Sequence, residues 1–330
     1  MDEKNFGTVA DEIQGMNISE EDKKKIQENL LKLKGEKINL MVTGATGCGK
    51  SSTINALFGE EVAKVGISVG PETMRITKYE LDNLIIWDTP GLGDGLEKDR
   101  IHAKNITEKL LEKDSNGNLL IDLVLVILDG GSRDLGTSYE LINHVIIPNL
   151  GKDKENRILV AINQADMAMK GRYWDEEKNE PEPKLVEFLD EKVESIHQRI
   201  LETTNVDIMP IYYSAGYKEE GMPQVHPYNL SKLLYFLVKF TPSKKRMAFI
   251  PNINPDETVW EHADKKENYT VETEKTLWET AKEYVFKGAD FLKKYGPTII
   301  TIISKLPMTG PLAKVGKIGS KVMGIINNFL

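Results

Sequence analysis

Five short runs rich in Ile, Val and Leu, at 38–42, 84–87, 121–128, 158–162 and 208–213, alternate along the chain with stretches of helical character. Runs of this length without polar alternation belong to strands buried on both faces. The segments between them, 50–58, 99–113, 135–147, 183–203 and 229–240, read as helices. Residues 76–81, followed by Asp82-Asn83, read as a strand hairpinned to the 84–87 run. Strands alternating with helices, joined by right-handed crossovers, give a doubly wound α/β sheet of six mostly parallel strands. A charged amphipathic helix over 18–34 precedes it, with Ser19 as N-cap, acidic residues in its first turn and Gly35 as its stop. The prolines at 242, 251 and 255, with Lys244-Lys245-Arg246, mark 241–258 as a linker. A helix over about 271–294 and a basic apolar tail come after it. The expected organisation is therefore 1–36 helical segment, 37–240 α/β domain, 241–258 linker and 259–330 helical extension.

Sheets of this kind bind ligands at the carboxyl ends of their strands. After the first run stands Gly44-Ala45-Thr46-Gly47-Cys48-Gly49-Lys50-Ser51, followed by Ser52. This is a full match to G-x-x-x-x-G-K-[ST], a loop whose backbone N–H groups wrap phosphates at a helix N-terminus. Lys50 would bridge the β- and γ-phosphates and the Ser51 hydroxyl would ligate Mg²⁺. After the 84–87 run comes Asp88-Thr89-Pro90-Gly91. Asp88 lies where an acid holds Mg²⁺, usually through water, and Gly91 can turn its N–H to a γ-phosphate. After the 158–162 run comes Asn163-Gln164-Ala165-Asp166, whose carboxylate can accept both donors of the guanine N1/N2 edge, a pattern adenine lacks. Ser214-Ala215-Gly216, after the 208–213 run, would offer N–H donors to the guanine O6. These motifs, each after the appropriate strand, point to a guanine nucleoside triphosphate.

From about Lys37 to Phe240, including Gly49-Lys50-Ser51-Ser52-Thr53-Ile54-Asn55-Ala56-Leu57, the chain resembles Era-like P-loop GTPases of the translation-factor type. It is also similar to interferon-inducible immunity-related GTPases. The resemblance implies GTP and GDP as ligands, Mg²⁺ as cofactor and slow hydrolysis of GTP to GDP and phosphate. It also implies a switch threonine on the metal, for which Thr73 is the first choice and Thr77 the runner-up. Lys50, Thr73 and Gly91 would then be the catalytic set, and Ser51, Thr73 and Asp88 the metal set. Gln164 departs from the family's lysine, and Leu92 stands where Ras-like proteins carry a water-orienting glutamine. Gly47 replaces the asparagine with which some Era-like members hold potassium, so a potassium-dependent mechanism is unsupported. Acceleration would come from dimerisation through the GTPase domain or from a partner. Arg75 and Arg133 could stabilise charge, but read more simply as surface arginines.

Charge divides the chain. Residues 291–330 hold six lysines and no acid, so with a net charge of −8 the rest carries −14. An acidic body argues against nucleic acid, whereas the tail suits an anionic membrane surface. Its alternative is a helical hairpin packed on the body, since Pro297, Pro307 and Pro311 interrupt any long helix. Gly316-Lys317-Ile318-Gly319 imitates a KH-domain loop, but lacks the flanking elements such a domain needs. That weakens the alternative of a ribosome- or RNA-linked assembly factor; a protein-binding signalling switch remains open. One cysteine, Cys48, excludes an intrachain disulfide, and the charged N-terminus shows no signal peptide. A cytoplasmic protein, peripheral at a membrane if the tail inserts, is the expectation. The five histidines lack ligand spacing, and Tyr173-Trp174 reads as a loop anchor.

Overall fold

The computed structural model describes residues 19–59, 62, 76–93, 95–217 and 225–284. Thr73, Arg75 and the tail 291–330 with its Gly316–Gly319 loop lie outside the described residues.

The most apolar runs form the centre of the sheet. Strands β1 (Ile38–Gly44), β2 (Thr77–Glu80), β3 (Leu84–Asp88), β4 (Leu123–Asp129) and β5 (Ile158–Asn163) are followed by a two-strand ribbon, β6 (Trp174–Asp175) and β7 (Glu180–Pro181). The last strand is β8 (Ile211–Tyr212). The main sheet runs in the order β2-β3-β1-β4-β5-β8, with β2 antiparallel to β3 and every other pairing parallel. Helices α1 (Glu20–Gly35), α2 (Lys50–Phe58), α3 (Leu96–Leu111), α4 (Gly136–Glu140), α5 (Pro183–Thr204), α6 (Leu230–Phe240) and α7 (Tyr269–Tyr284) surround it. The expected sheet and its flanking helices are thus present. The α1 start is as read: Asp22 N donates to Ser19 Oγ at 3.1 Å. The helix expected over 135–147 is composite, because α4 passes into π-helical turns at Leu141–Ile146 and a 3₁₀ turn at Ile147–Asn149. Pro148 lacks an N–H and cannot continue the α-ladder.

One hydrophobic cluster lies on each face of the sheet. The first gathers Leu40, Val42, Ile54, Leu57, Leu125 and Leu234, together with Phe249, Ile253, Trp260 and Leu277. The other gathers Met41, Leu92, Ile106, Val126, Ile162, Leu189 and Ile200. The first cluster corrects the expectation of a linker at 241–258. That segment is a strap, 3₁₀-helical over Ser243–Asn252, in which Phe249 is fully buried and stacks on Phe58 at a 6.4 Å centroid distance. Helix α2 ends with carbonyls that need donors. Asn254 supplies them: its N–H donates to Leu57 O at 2.8 Å and its Nδ2 to Ala56 O at 3.0 Å. Lys245, part of the apparently solvent-seeking basic run, instead forms a two-oxygen ion pair with the buried Asp122. Helix α7 packs on α6 and the strap, so the start of the extension shares a core with the α/β body. No described helix is long and apolar enough to cross a membrane.

Two stability measurements check this packing. Phe249→Ala should cost about 3–5 kcal/mol by urea denaturation, the cost of emptying a buried aromatic site; a solvated linker would register almost no change. Glu274, on α7, has a buried Oε1 with no hydrogen-bond partner among the described residues, and burial pushes its carboxyl up to about 7. The folded state therefore holds this proton where the unfolded chain has released it, and stability falls as pH rises toward and through that value. Glu274→Gln should melt higher than the parent at alkaline pH, and the advantage should shrink as the solution is acidified in a calorimetric series.

Candidate functional site

Four loops meet at the carboxyl edge of the sheet, and the sequence motifs occupy all of them. The Gly44–Ser52 segment leaves β1 and enters α2. Gly47 and Gly49 sit at φ 81° and 87°, a region costly for any residue with a Cβ. At Gly49 space forbids one as well, since a Cβ would lie 2.2 Å from the Asn163 Nδ2. Lys50 Nζ donates to the carbonyls of Gly44 at 3.2 Å and Ala45 at 3.0 Å, which keeps the ammonium over the loop. Cys48 is fully buried, and burial pushes its thiol up, so it packs as a small apolar residue.

The loop after β3 is sewn to this one. Thr46 N donates to Leu92 O at 2.9 Å, and Leu92 N to Gly44 O at 3.4 Å. Gly91 passes so close that a Cβ there would stand 2.4 Å from Thr46 Oγ1. Leu92 itself is buried in the core against the Met41 side of the sheet, so its side chain cannot orient a water. Asp88 ends β3 across the ladder from Thr77, which places the runner-up threonine inside β2 as expected. The Asp88 Oδ1 is buried without a hydrogen-bond partner among the described residues. Burial raises its carboxyl to about 6, opposed by the nearby Lys50 charge.

Asn163 joins the remaining loops. Its Nδ2 donates to Cys48 O at 2.9 Å, and its Oδ1 accepts from Ala215 N at 2.9 Å. Gln164, at φ 59°, donates from Nε2 to Gly47 O at 3.0 Å. The structure therefore shows that the shorter side chain still reaches the phosphate loop. Asp166 follows in a short 3₁₀ turn, and its Oδ1 is also buried without a partner among the described residues. A cavity of about 400 Å³ opens beside it, lined by Met167, Trp174, Asn179, Tyr217 and His226. Tyr217 stacks on His226 at 5.5 Å, while Trp174 meets Tyr228 edge-on at 5.3 Å, so the Tyr173-Trp174 pair does anchor its loop. Ser214, Ala215 and Gly216 stand beyond β8, with Gly216 at φ 74°.

The motif loops at 44–52, 88–92, 163–166 and 214–216 thus adjoin one another, while Arg133 is exposed and makes no hydrogen bond or ion pair with them among the described residues, and Thr73 lies outside those residues. Sequence reading passed over Tyr213, which is fully buried and whose hydroxyl is 2.6 Å from Thr53 Oγ1, tying β8 to α2. It sits inside an apolar run, and nothing in the pattern marks its hydroxyl. Sequence reading also missed Lys192, which lies far from every motif in the chain.

The donor set suits Mg²⁺ and a nucleotide. Hydroxyls at Ser51 and Ser52, an Asp88 carboxylate oxygen without a partner among the described residues and a glycine-lined phosphate loop lie at one end, and a second such oxygen, of Asp166, at the other. Among the described residues no group of three or more His, Cys, Asp or Glu side chains could hold a metal alone. A metal here would therefore depend on hydroxyl and phosphate oxygens for most of its ligands.

Comparison with known proteins agrees with this geometry. Residues 39–164 match the family described as 50S ribosome-binding GTPase. Translocase of chloroplast 34 from Pisum sativum is 30% identical over 150 residues, 44% of this chain and 46% of that protein. Interferon-gamma-inducible GTPase 10 from Mus musculus is 25% identical over 219 residues, 64% of this chain and 46% of that protein. The chain thus spans less than half the length of these relatives. Among solved structures, Era from Aquifex aeolicus is 22% identical, with a TM-score of 0.36, over 62% of this chain and 56% of its own. Over residues 39–164 the chain is thus similar to a GTPase family, in line with the resemblance its motifs carry.

Proposed function

We propose that this protein is a guanine-nucleotide switch that hydrolyses GTP slowly to GDP and phosphate. The observation that carries this reading is the pair of buried carboxylate oxygens, Asp88 Oδ1 and Asp166 Oδ1, that have no partner among the described residues, on loops locked to one phosphate loop. A buried acceptor without a donor costs roughly 1–3 kcal/mol, and a ligand that satisfies it recovers that energy as affinity. In this assignment Gly44–Ser52 wrap the phosphates, Lys50 turns from its carbonyls to the β- and γ-oxygens, and the Gly91 N–H meets the γ-phosphate. Asp166 accepts from the guanine edge, while Ala215 and Gly216 approach O6. Mg²⁺, held by Ser51, Asp88 and Thr73, supplies charge neutralisation on the phosphates when bound. Lys50, Thr73 and Gly91 form the catalytic set. With Leu92 buried, the chain has no water-orienting side chain at that position, which supports slow turnover and acceleration by a second copy or a partner.

The assignment is tested by calorimetry. GDP should bind far more tightly than ADP, and Asp166→Asn should shift preference toward xanthine nucleotides, whose O2 accepts where guanine donates. Equal affinity for GDP and ADP in the parent protein would refute it.

The proposal extends to peripheral attachment at an anionic membrane through residues 291–330, on the strength of their six lysines and apolar residues. The full chain should co-sediment with phosphatidylserine-containing vesicles more than with neutral ones and lose much of that binding at high salt. Truncation after Asp290 should abolish it. A full chain that ignores anionic vesicles, paired with a truncated one that melts lower, would assign the tail to packing on the body.

A further inference from the structure

Lys192 is an ammonium group without a carboxylate at ion-pair distance among the described residues, on helix α5 and half-buried. Its Nζ instead donates to three backbone carbonyls of the loop after β4: Gly130 O at 2.7 Å, Ser132 O at 2.8 Å and Asp129 O at 3.4 Å. Burial draws its pKa below the usual lysine range, opposed by the Asp129 charge. Three carbonyls turned to one point repel each other unless a cation holds them, so this loop's bend depends on Lys192.

The bend has a consequence one loop away. Gly130 N donates to Asn163 O at 2.7 Å, the last rung beyond the β4–β5 ladder. The fit is tight: a Cβ on Gly130 would lie 2.5 Å from Asn163 O and 2.8 Å from Gln164 O. Gly131, held by its N–H to Asp129 Oδ1 at 2.8 Å, faces the backbone of Met167, the residue after Asp166. The 129–132 loop is thus a floor beneath the Asn163–Met167 turn.

We propose that Lys192 is a positioning residue for base recognition, holding the 129–132 loop so that Asn163 and Asp166 keep the geometry that reads guanine. The inference rests on the guanine reading of Asp166 given above. Lys192 touches neither phosphate nor base in this scheme; it acts through Gly130 and Asn163.

The experiment is a calorimetric comparison of GDP with IDP, which keeps N1–H but lacks the 2-amino donor, in the parent protein and in Lys192→Met and Lys192→Arg. The parent should prefer GDP by roughly tenfold, the value of one donor to a charged acceptor. Lys192→Met should weaken GDP by about that factor while leaving IDP much less affected, so that the ratio falls toward one. Lys192→Arg, which can still offer donors to the carbonyls, should recover most of it. A purely structural lysine would lower the melting temperature with the GDP:IDP ratio unchanged, and that result would overturn the inference alone. A parent protein that does not distinguish GDP from ADP would overturn the guanine reading and this inference with it. If Lys192→Met does not fold, Lys192→Gln is titrated in its place, and an unchanged ratio there would overturn the inference in the same way.

Discussion

A single buried side-chain amide joins the two ends of the site. Asn163 spends its donor on the Cys48 carbonyl of the phosphate loop and its acceptor on the Ala215 N–H beyond β8, at 2.9 Å each. Loops separated by more than a hundred residues in sequence are thereby held by one buried, satisfied group. Truncating it would remove the donor to the Cys48 carbonyl and an acceptor of the Ala215 N–H, a loss of about 1–3 kcal/mol for a buried polar group left unsatisfied. The loss would also leave the phosphate and base ends joined only by other contacts, such as Gln164 to Gly47 O and Tyr213 to Thr53. No isosteric apolar residue could replace it, because both partners are backbone groups that the fold cannot remove. Gly49 follows from the same fact: the amide occupies the space its Cβ would need.

The strap extends this logic to the far end of α2. That helix begins at the phosphate loop and ends where Asn254 donates to the Ala56 and Leu57 carbonyls. Trp260 Nε1 donates in turn to Asn254 O at 3.0 Å, and α7 follows within the same core. A displacement of α2 on nucleotide exchange would thus be felt by the strap and α7 through stiff, buried contacts rather than through a flexible tether. Near α7, Lys232 and Asp264 form a nearly buried ion pair at 2.6 Å, with the Tyr269 hydroxyl donating to the same carboxylate at 2.8 Å. Such a pair specifies one seating of the helix more than it stabilises the fold.

Sequence made the strands, their order of motifs and most helix limits legible because each rests on local pattern: apolar run length, glycine where the loop must curve, and a capping serine at Ser19. The strap was not legible for the same reason. Met247, Ala248, Phe249 and Ile250 are consecutive, without strand or helix period, and are flanked by prolines and a basic run, so pattern alone reads them as linker. What buries them is a tertiary demand, the open C-terminal carbonyls of α2 and the apolar face beside Phe58. Lys192 was hidden in another way. On an amphipathic helix it reads as one more solvated lysine, and only the fold brings the β4 loop carbonyls to it.

Gln164 shows how a departure from a motif can preserve geometry while changing electrostatics. A lysine at this position would bring a second ammonium beside the phosphate loop; here a carbonyl of that loop, Gly47 O, is met at 3.0 Å by a neutral amide. A neutral hydrogen bond of this kind contributes about 0.5–1.5 kcal/mol net, enough to hold the loop. The difference lies in the field. With Gln164, Lys50 supplies the ammonium of the phosphate loop, and its charge is already engaged by the Gly44 and Ala45 carbonyls. Long-range attraction of a triphosphate is correspondingly weaker, and its screening by salt matters less than in a site with two lysines. Under the proposed assignment, affinity would therefore lean on short contacts: aligned N–H groups, the two carboxylate oxygens that have no partner among the described residues, and the Asn163 amide between them.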